Sequence, residues 1–320
     1  MDHHDFHAGE RAVQERAGER HIAEQRLGLV ADAVMAGARP FIARQFMVVV
    51  ASVDSAGRVW ASLLFGKPGF AHAEGPSLLI EAPFGERDAA DPLWANLDAG
   101  SSADADADVQ LGMLFIDLGS RRRYRVNGVV RHVNRRQIEV AVREAFPNCP
   151  QYIQRRELQP RASAVVPVAP VQTARGTSLR GTVADIVRRT DTVFVASRHA
   201  QGGADASHRG GHAGFVTIVD EHTLRIPDYR GNSLFNTLGN LAVDPHAGLV
   251  ILDFDGGQLL QLTGTATLLW DQADATGQTG GTGRCWEFQV EQWILHDTPL
   301  ALAWRYLDAS PYNPGIAQTV

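Results

Sequence analysis

A hydroxyl, an imidazole, a guanidinium and two glycines follow one another at Ser207, His208, Arg209, Gly210 and Gly211. This is chemistry for an anion. An arginine fork clasps phosphate oxygens at two points, and glycine lets a ligand approach the main chain closely. A second cluster, DYRGNSLFNTLGNL at 228–241, opens with a Gly-Asn turn and runs into a short amphipathic helix. Free amides and the positive dipole end favour a phosphate at such a helix start, where Arg230, Gly231, Asn232 and Ser233 stand. The bland readings are open at each position: a common turn pair, a helix cap at Asn232 or Ser233, a surface ion pair at Arg209. Ser197 either touches a ligand or satisfies a strand end. Asn236 and Asn240 either orient a ligand or hold the loop.

Elements that would position these residues come in two copies. Val50–Phe70 laid over Val195–Phe215 without a gap matches at nine of 21 positions, including Ser52/Ser197, Ser62/Ser207 and Gly66/Gly211. LWANL at 93–97 then matches LFNTL at 234–238, GMLFID at 112–117 matches GLVILD at 248–253, and RVNGVV at 125–130 matches QLTGTA at 261–266. Two units of about 110 residues follow, too few for a repeat solenoid. Short segments rich in branched and aromatic residues, such as MVVVAS, RVWASLLF and LGMLFIDL, read as strands bounded by Gly, Asp or Pro. Hairpin spacing predicts a small barrel, whose closure removes exposed edges. The fold class expected is mainly β with flanking helices (α+β), as two tandem split β-barrels.

The expected division is an N-terminal helical segment at 1–40, packed on the first barrel, a first unit at 41–150, a linker at 151–175 and a second unit at 176–320. Arg136–Phe146 reads as a helix, Pro160–Pro170 as extended linker, SSADADAD at 101–108 as a solvated loop, and 273–283 as a flexible excursion. The copies diverge where LLFGKPGF in the first becomes SHRGGHAGF in the second, and Asp91-Pro92 replaces the second copy's polar turn. The first unit's site is therefore expected to be degenerate, and one full site per chain to come mainly from the second.

Composition narrows the classes. A net charge of −6 gives no broad basic field for nucleic acid, despite Arg121–Arg123. No apolar run reaches the roughly 18 residues of a membrane span. The polar start lacks a signal-peptide core, so a cytoplasmic location is expected. Two distant cysteines, Cys149 and Cys285, make neither a disulfide framework nor a thiolate zinc site, and the twelve histidines lack metal-ligand spacing, so no metal is expected.

SHRGGHAGF, IPDYRGNSLFNTLGNL, DPHAGLVILDF and the LTGTA strand resemble the pyridoxamine 5'-phosphate oxidase-like, FMN-binding split-barrel superfamily, in a long form with both barrels in one chain. The likeness spans roughly 40–310 and is strongest at 195–270. It implies FMN as cofactor between the barrels, with Ser197, Ser207, His208, Arg209, Gly210, Gly211, Arg230, Gly231, Asn232, Ser233 and Asn236 around it. The oxidase's Arg/Lys run on the second strand is replaced here by HRGG, and Trp304 and Arg305 either close over the flavin or pack. The resemblance further implies an FMN-dependent oxidoreductase, with a small-molecule substrate left open, an electron donor such as NAD(P)H, and dimers of the chain possible. The alternatives are a non-catalytic flavin-binding or sensing protein and a haem-handling split barrel; no catalytic residue is assigned.

Overall fold

The computed structural model describes residues 5–81, 90–100, 109–134, 136–159, 172–199, 203–275, 277–298 and 302–315. The tract at 101–108 and the Pro160–Pro170 segment lie outside them. The chain is mainly β with flanking helices, in two split-barrel units.

The first unit comprises β1 (Met47–Val53), β2 (Val59–Phe65), β3 (Ala71–Glu74), β4 (Ser77–Glu81), β5 (Gln110–Asp117), β6 (Arg122–Val133) and β7 (Gln137–Asn148). After β8 (Arg155–Gln159) and β9 (Thr173–Gly176), the second comprises β10 (Thr192–His199), β11 (Gly203–Gly210), β12 (Thr217–Asp220), β13 (Thr223–Pro227), β14 (His246–Asp253), β15 (Gln258–Leu269) and β16 (Cys285–Asp297). The strand orders are β2-β1-β5-β6-β7-β4-β3 and β11-β10-β14-β15-β16-β13-β12, the same path twice. Neither path closes on itself, as expected of split barrels.

Register carries the duplication down to single residues. Val50 faces Ser62 in the first unit and Val195 faces Ser207 in the second. Gly112 faces Asn127, and Gly248 faces Thr263. Opposite the step from Asn127 to Gly128, β7 carries one extra residue, Arg143, and opposite the step from Thr263 to Gly264, β16 carries one, Glu291. Each insertion re-aims the strand at the same step.

The uninterrupted run MVVVA is explained by burial on both faces. Val48 and Val50 face the first unit's own core, whereas Met47, Val49 and Ala51 face a third core. Phe194 and Ala196 of β10 and Val250 and Leu252 of β14 enter that same core from the second unit. The units meet there, and glycine sets how closely. A Cβ on Gly112 of β5 would lie 2.5 Å from the Cα of Asp205 on β11, and one on Gly248 of β14 would lie 2.8 Å from the Cα of Trp60 on β2. These two contacts are pseudo-equivalent, and each leaves no room for a side chain.

Several expectations are corrected. Of the expected helix at 136–146, residues 137–146 fall in strand β7: Ile138, Val140 and Val142 are buried and alternate with exposed or half-buried neighbours, a period of two that excludes a helix. Part of the expected linker is strand β8, which pairs with β17 (Ala303–Asp308). The N-terminal helices α1 (Ala8–Arg16) and α2 (Arg20–Arg26) do not simply cover the first barrel. α1 lies on α6 (Asn236–Val243) of the second unit, where a Cβ on Gly239 would meet Glu10 Cα at 2.7 Å. Ala31 bridges to Ala145 of the first unit, so the segment spans both units. The 273–283 loop is tied by the Asp274 carboxylate, which accepts from the amides of Thr279 and Gly281. Among the described residues no helix is long and apolar enough to cross a membrane.

Candidate functional site

Strand β6 of the first unit and strand β11 of the second face each other across the interface and both line one cleft. From β6 come Arg123 and Arg125; from β11 come Ser207, His208, Arg209 and Gly210. Tyr152, Tyr229, Gly231 and Asn232 are also part of the wall, around a cavity of about 70 Å³.

Positive charge is concentrated here. Arg123 Nε donates to the carbonyl of Cys149 at 2.7 Å, and its Nη1 stands 3.2 Å from His208 Nδ1. Arg125 is buried and paired with Asp205 at 3.1 Å, and also donates to Asn236 Oδ1. Arg209 has Asp228 at 3.7 Å, while that carboxylate is bonded at 3.0 Å by Arg284 Nε. Burial and the guanidinium groups of Arg125 and Arg209 push the Arg123 pKa down to about 9. Burial, with Arg123 and Arg209 adding to it, holds His208 well below the usual imidazole range, so the ring is neutral. Arg209 Nε, Arg125 Nε and His208 Nε2 are buried and have no hydrogen-bond partner among the described residues. Buried unpaired donors cost free energy until something accepts from them. An anion at this cleft satisfies donor and charge together.

The pseudo-equivalent face is built differently. By register, Arg123, Arg125, His208 and Arg209 correspond to Leu259, Gln261, Leu63 and Leu64. There Gln261 donates to Ala61 O and Ser62 Oγ, and Ser62 donates to Asp91 at 2.6 Å. That face has leucines where the cleft has Arg123, His208 and Arg209, and it is bonded internally through Gln261, Ser62 and Asp91.

The residues singled out from sequence divide. Ser207, His208, Arg209, Gly210, Gly231 and Asn232 line the cleft. Gly211 donates to Asp191 O beside it. Arg230 is exposed, with its carbonyl accepting from Tyr152. Ser197 is buried and accepts from Asn240. Ser233 donates to Glu19 at 2.6 Å and Asn236 to Glu10 at 2.7 Å, so carboxylates already flank the start of α6. Those charges disfavour a phosphate at that helix end, contrary to expectation. Trp304 packs against Phe46 and Phe254, and exposed Arg305 pairs with Glu157, so neither is part of the cleft.

Sequence reasoning missed Arg123, Arg125, Tyr152 and Tyr229. The two tyrosine rings lie 5.0 Å apart at the cleft wall. The arginines had a signal, since RVNGVV was aligned with QLTGTA and Arg125 stands there against Gln261.

The sequence profile of the pyridoxamine 5'-phosphate oxidase family matches residues 179–296, which hold most of the second unit. No curated protein matches the chain. Among solved structures, a putative pyridoxamine 5'-phosphate oxidase from Lactobacillus delbrueckii is 15% identical with a TM-score of 0.29, covering 37% of this chain and 98% of that one. An FAD-binding protein from Mesorhizobium loti is 9% identical with a TM-score of 0.31, covering 41% and 100%. HupZ of Group A Streptococcus is 16% identical with a TM-score of 0.27, covering 33% and 85%.

Proposed function

We propose that the chain is, through the second unit that the family profile matches at 179–296, a pyridoxamine 5'-phosphate oxidase-like split-barrel protein, that it binds FMN in the cleft between β6 and β11 and that it acts as an FMN-dependent oxidoreductase. One observation carries the reading: buried, unpartnered nitrogens of Arg125, His208 and Arg209 converge on one cleft, beside Arg123. This donor set fits the phosphate of the cofactor. Arg123 and Arg209 would clasp the oxygens, and neutral His208 would donate from the nitrogen that carries its proton. The Tyr152 and Tyr229 rings offer an aromatic wall beside them.

Bound flavin supplies hydride or electron transfer, so the protein's part is binding, orientation and exclusion of water. Arg125 fixes the cleft floor through Asp205 and Asn236.

The test is an absorption titration of the purified protein with FMN, followed by NADPH without oxygen. Flavin bands that bleach support an oxidoreductase, and bands that bind but resist every reductant favour a flavin-storing or sensing protein. Protein that takes up no FMN ends the reading.

A further inference from the structure

Behind the Arg125–Asp205 pair lies a larger cavity of about 460 Å³, closed on one side by α1. Its lining is opposite in character to that of the anion cleft. Asp205 Oδ2 and Asn127 Oδ1 are buried acceptors without a donor among the described residues, on side chains of residues 3% and 5% exposed. Glu10, 5% exposed, enters from α1 and is bonded only by neutral donors, the amides of His7 and Asn236. The cations nearby are committed: Arg11 to Asp5, and Arg125 to Asp205. His7 is stacked on His199 at 3.9 Å and is neutral, since burial and His199 push its pKa down to about 4. A ligand that completes this cavity therefore brings N–H donors and positive charge.

We propose that this cavity is a binding site for a protonated primary amine, held by Asp205, Asn127 and Glu10. An ammonium has three donors and no acceptor, which matches a wall of unpaired acceptors. No group of three or more His, Cys, Asp or Glu side chains among the described residues is placed to hold a metal ion, so an organic cation suits the site better than an inorganic one. At about 460 Å³ the cavity also falls in the ordinary range for small organic ligands. The site stands on its own donor and acceptor inventory and does not depend on flavin occupying the neighbouring cleft.

Calorimetric titration of the full-length protein with benzylamine, and with benzyl alcohol as its neutral isostere, tests the site. Benzylamine is expected to bind at least about tenfold more tightly than the alcohol. Near pH 7 its binding is expected to expel part of a proton from Glu10, seen as a dependence of the apparent enthalpy on the buffer. Glu10→Gln removes the buffer dependence and weakens benzylamine about tenfold; Asp205→Asn weakens it further, with circular dichroism confirming that both variants are folded. Equal affinity for amine and alcohol, no binding of either, or benzylamine affinity unchanged in both variants would overturn the proposal. FMN titration of the same samples reads the other cleft separately.

Discussion

Arg125 Nη1 and Asp205 Oδ1 meet at 3.1 Å across the interface between the units, both side chains almost wholly buried. At the pseudo-equivalent contact the partners are Gln261 and Trp60, and no charge is buried between them. Removing one member of a buried pair strands the other, at a typical cost of about 3 to 5 kcal/mol. Arg125→Gln is thus expected to lower stability by about 3 kcal/mol. Asp205→Asn added to it should recover most of that loss. Denaturant unfolding of the two variants checks this, and equal losses that simply add would refute it.

Arg123 and Arg209 are expected to dominate affinity for a phosphorylated ligand. A hydrogen bond to a charged group contributes about 1.5 to 3 kcal/mol, so Arg123→Gln or Arg209→Gln should each weaken FMN by about tenfold to a hundredfold. Quenching of flavin fluorescence on binding reads the change. Riboflavin, which lacks the phosphate, should be indifferent to both substitutions.

Gly112 and Gly248 are expected to tolerate no side chain. Each Cβ would sit within 3 Å of backbone atoms of the opposing unit. Gly112→Val and Gly248→Val should therefore each cost more than about 2 kcal/mol by forcing the sheets apart. Gly231→Ala, with open space around its Cα, is the control.

Glu10 makes stability depend on pH. Burial, with Glu144 and Asp205 adding to it, pushes its carboxyl up to about 7 in the folded chain, against an ordinary value of 4.5. The folded state holds the proton longer than the unfolded one, so the contribution is complete below about pH 4.5 and lost as pH rises through 7. The loss amounts to about 3 kcal/mol by the usual conversion of pKa shift to free energy. Glu10→Gln should flatten melting temperature against pH between 4.5 and 7, whereas a slope kept by the variant would assign it to other groups.

Strand content and duplication were legible in the sequence because Val50 and Val195, Ser62 and Ser207, and Gly112 and Gly248 occupy matching registers. Segment 136–146 was misread because QIEVAVREAF carries enough helix formers to mask the alternation of Ile138, Val140 and Val142. Half of the cleft was legible, at Ser207, His208 and Arg209, where the copies differ most visibly. The other half was hidden because Arg123 and Arg125 lie more than 80 positions earlier and reach the site only when the units pack. Spacing along a chain carries no direct record of such a meeting.

Having both units in one chain separates this cleft from the rules of a two-fold dimer. Two identical subunits must write each substitution on both faces, and their shared sites come apart on dilution. Here Arg123 and Arg209 were placed on one face while Leu259 and Leu64 closed the other, an asymmetry that a dimer of one gene product cannot encode. Under the proposed function, this arrangement predicts one FMN per chain, held by residues that a single polypeptide supplies.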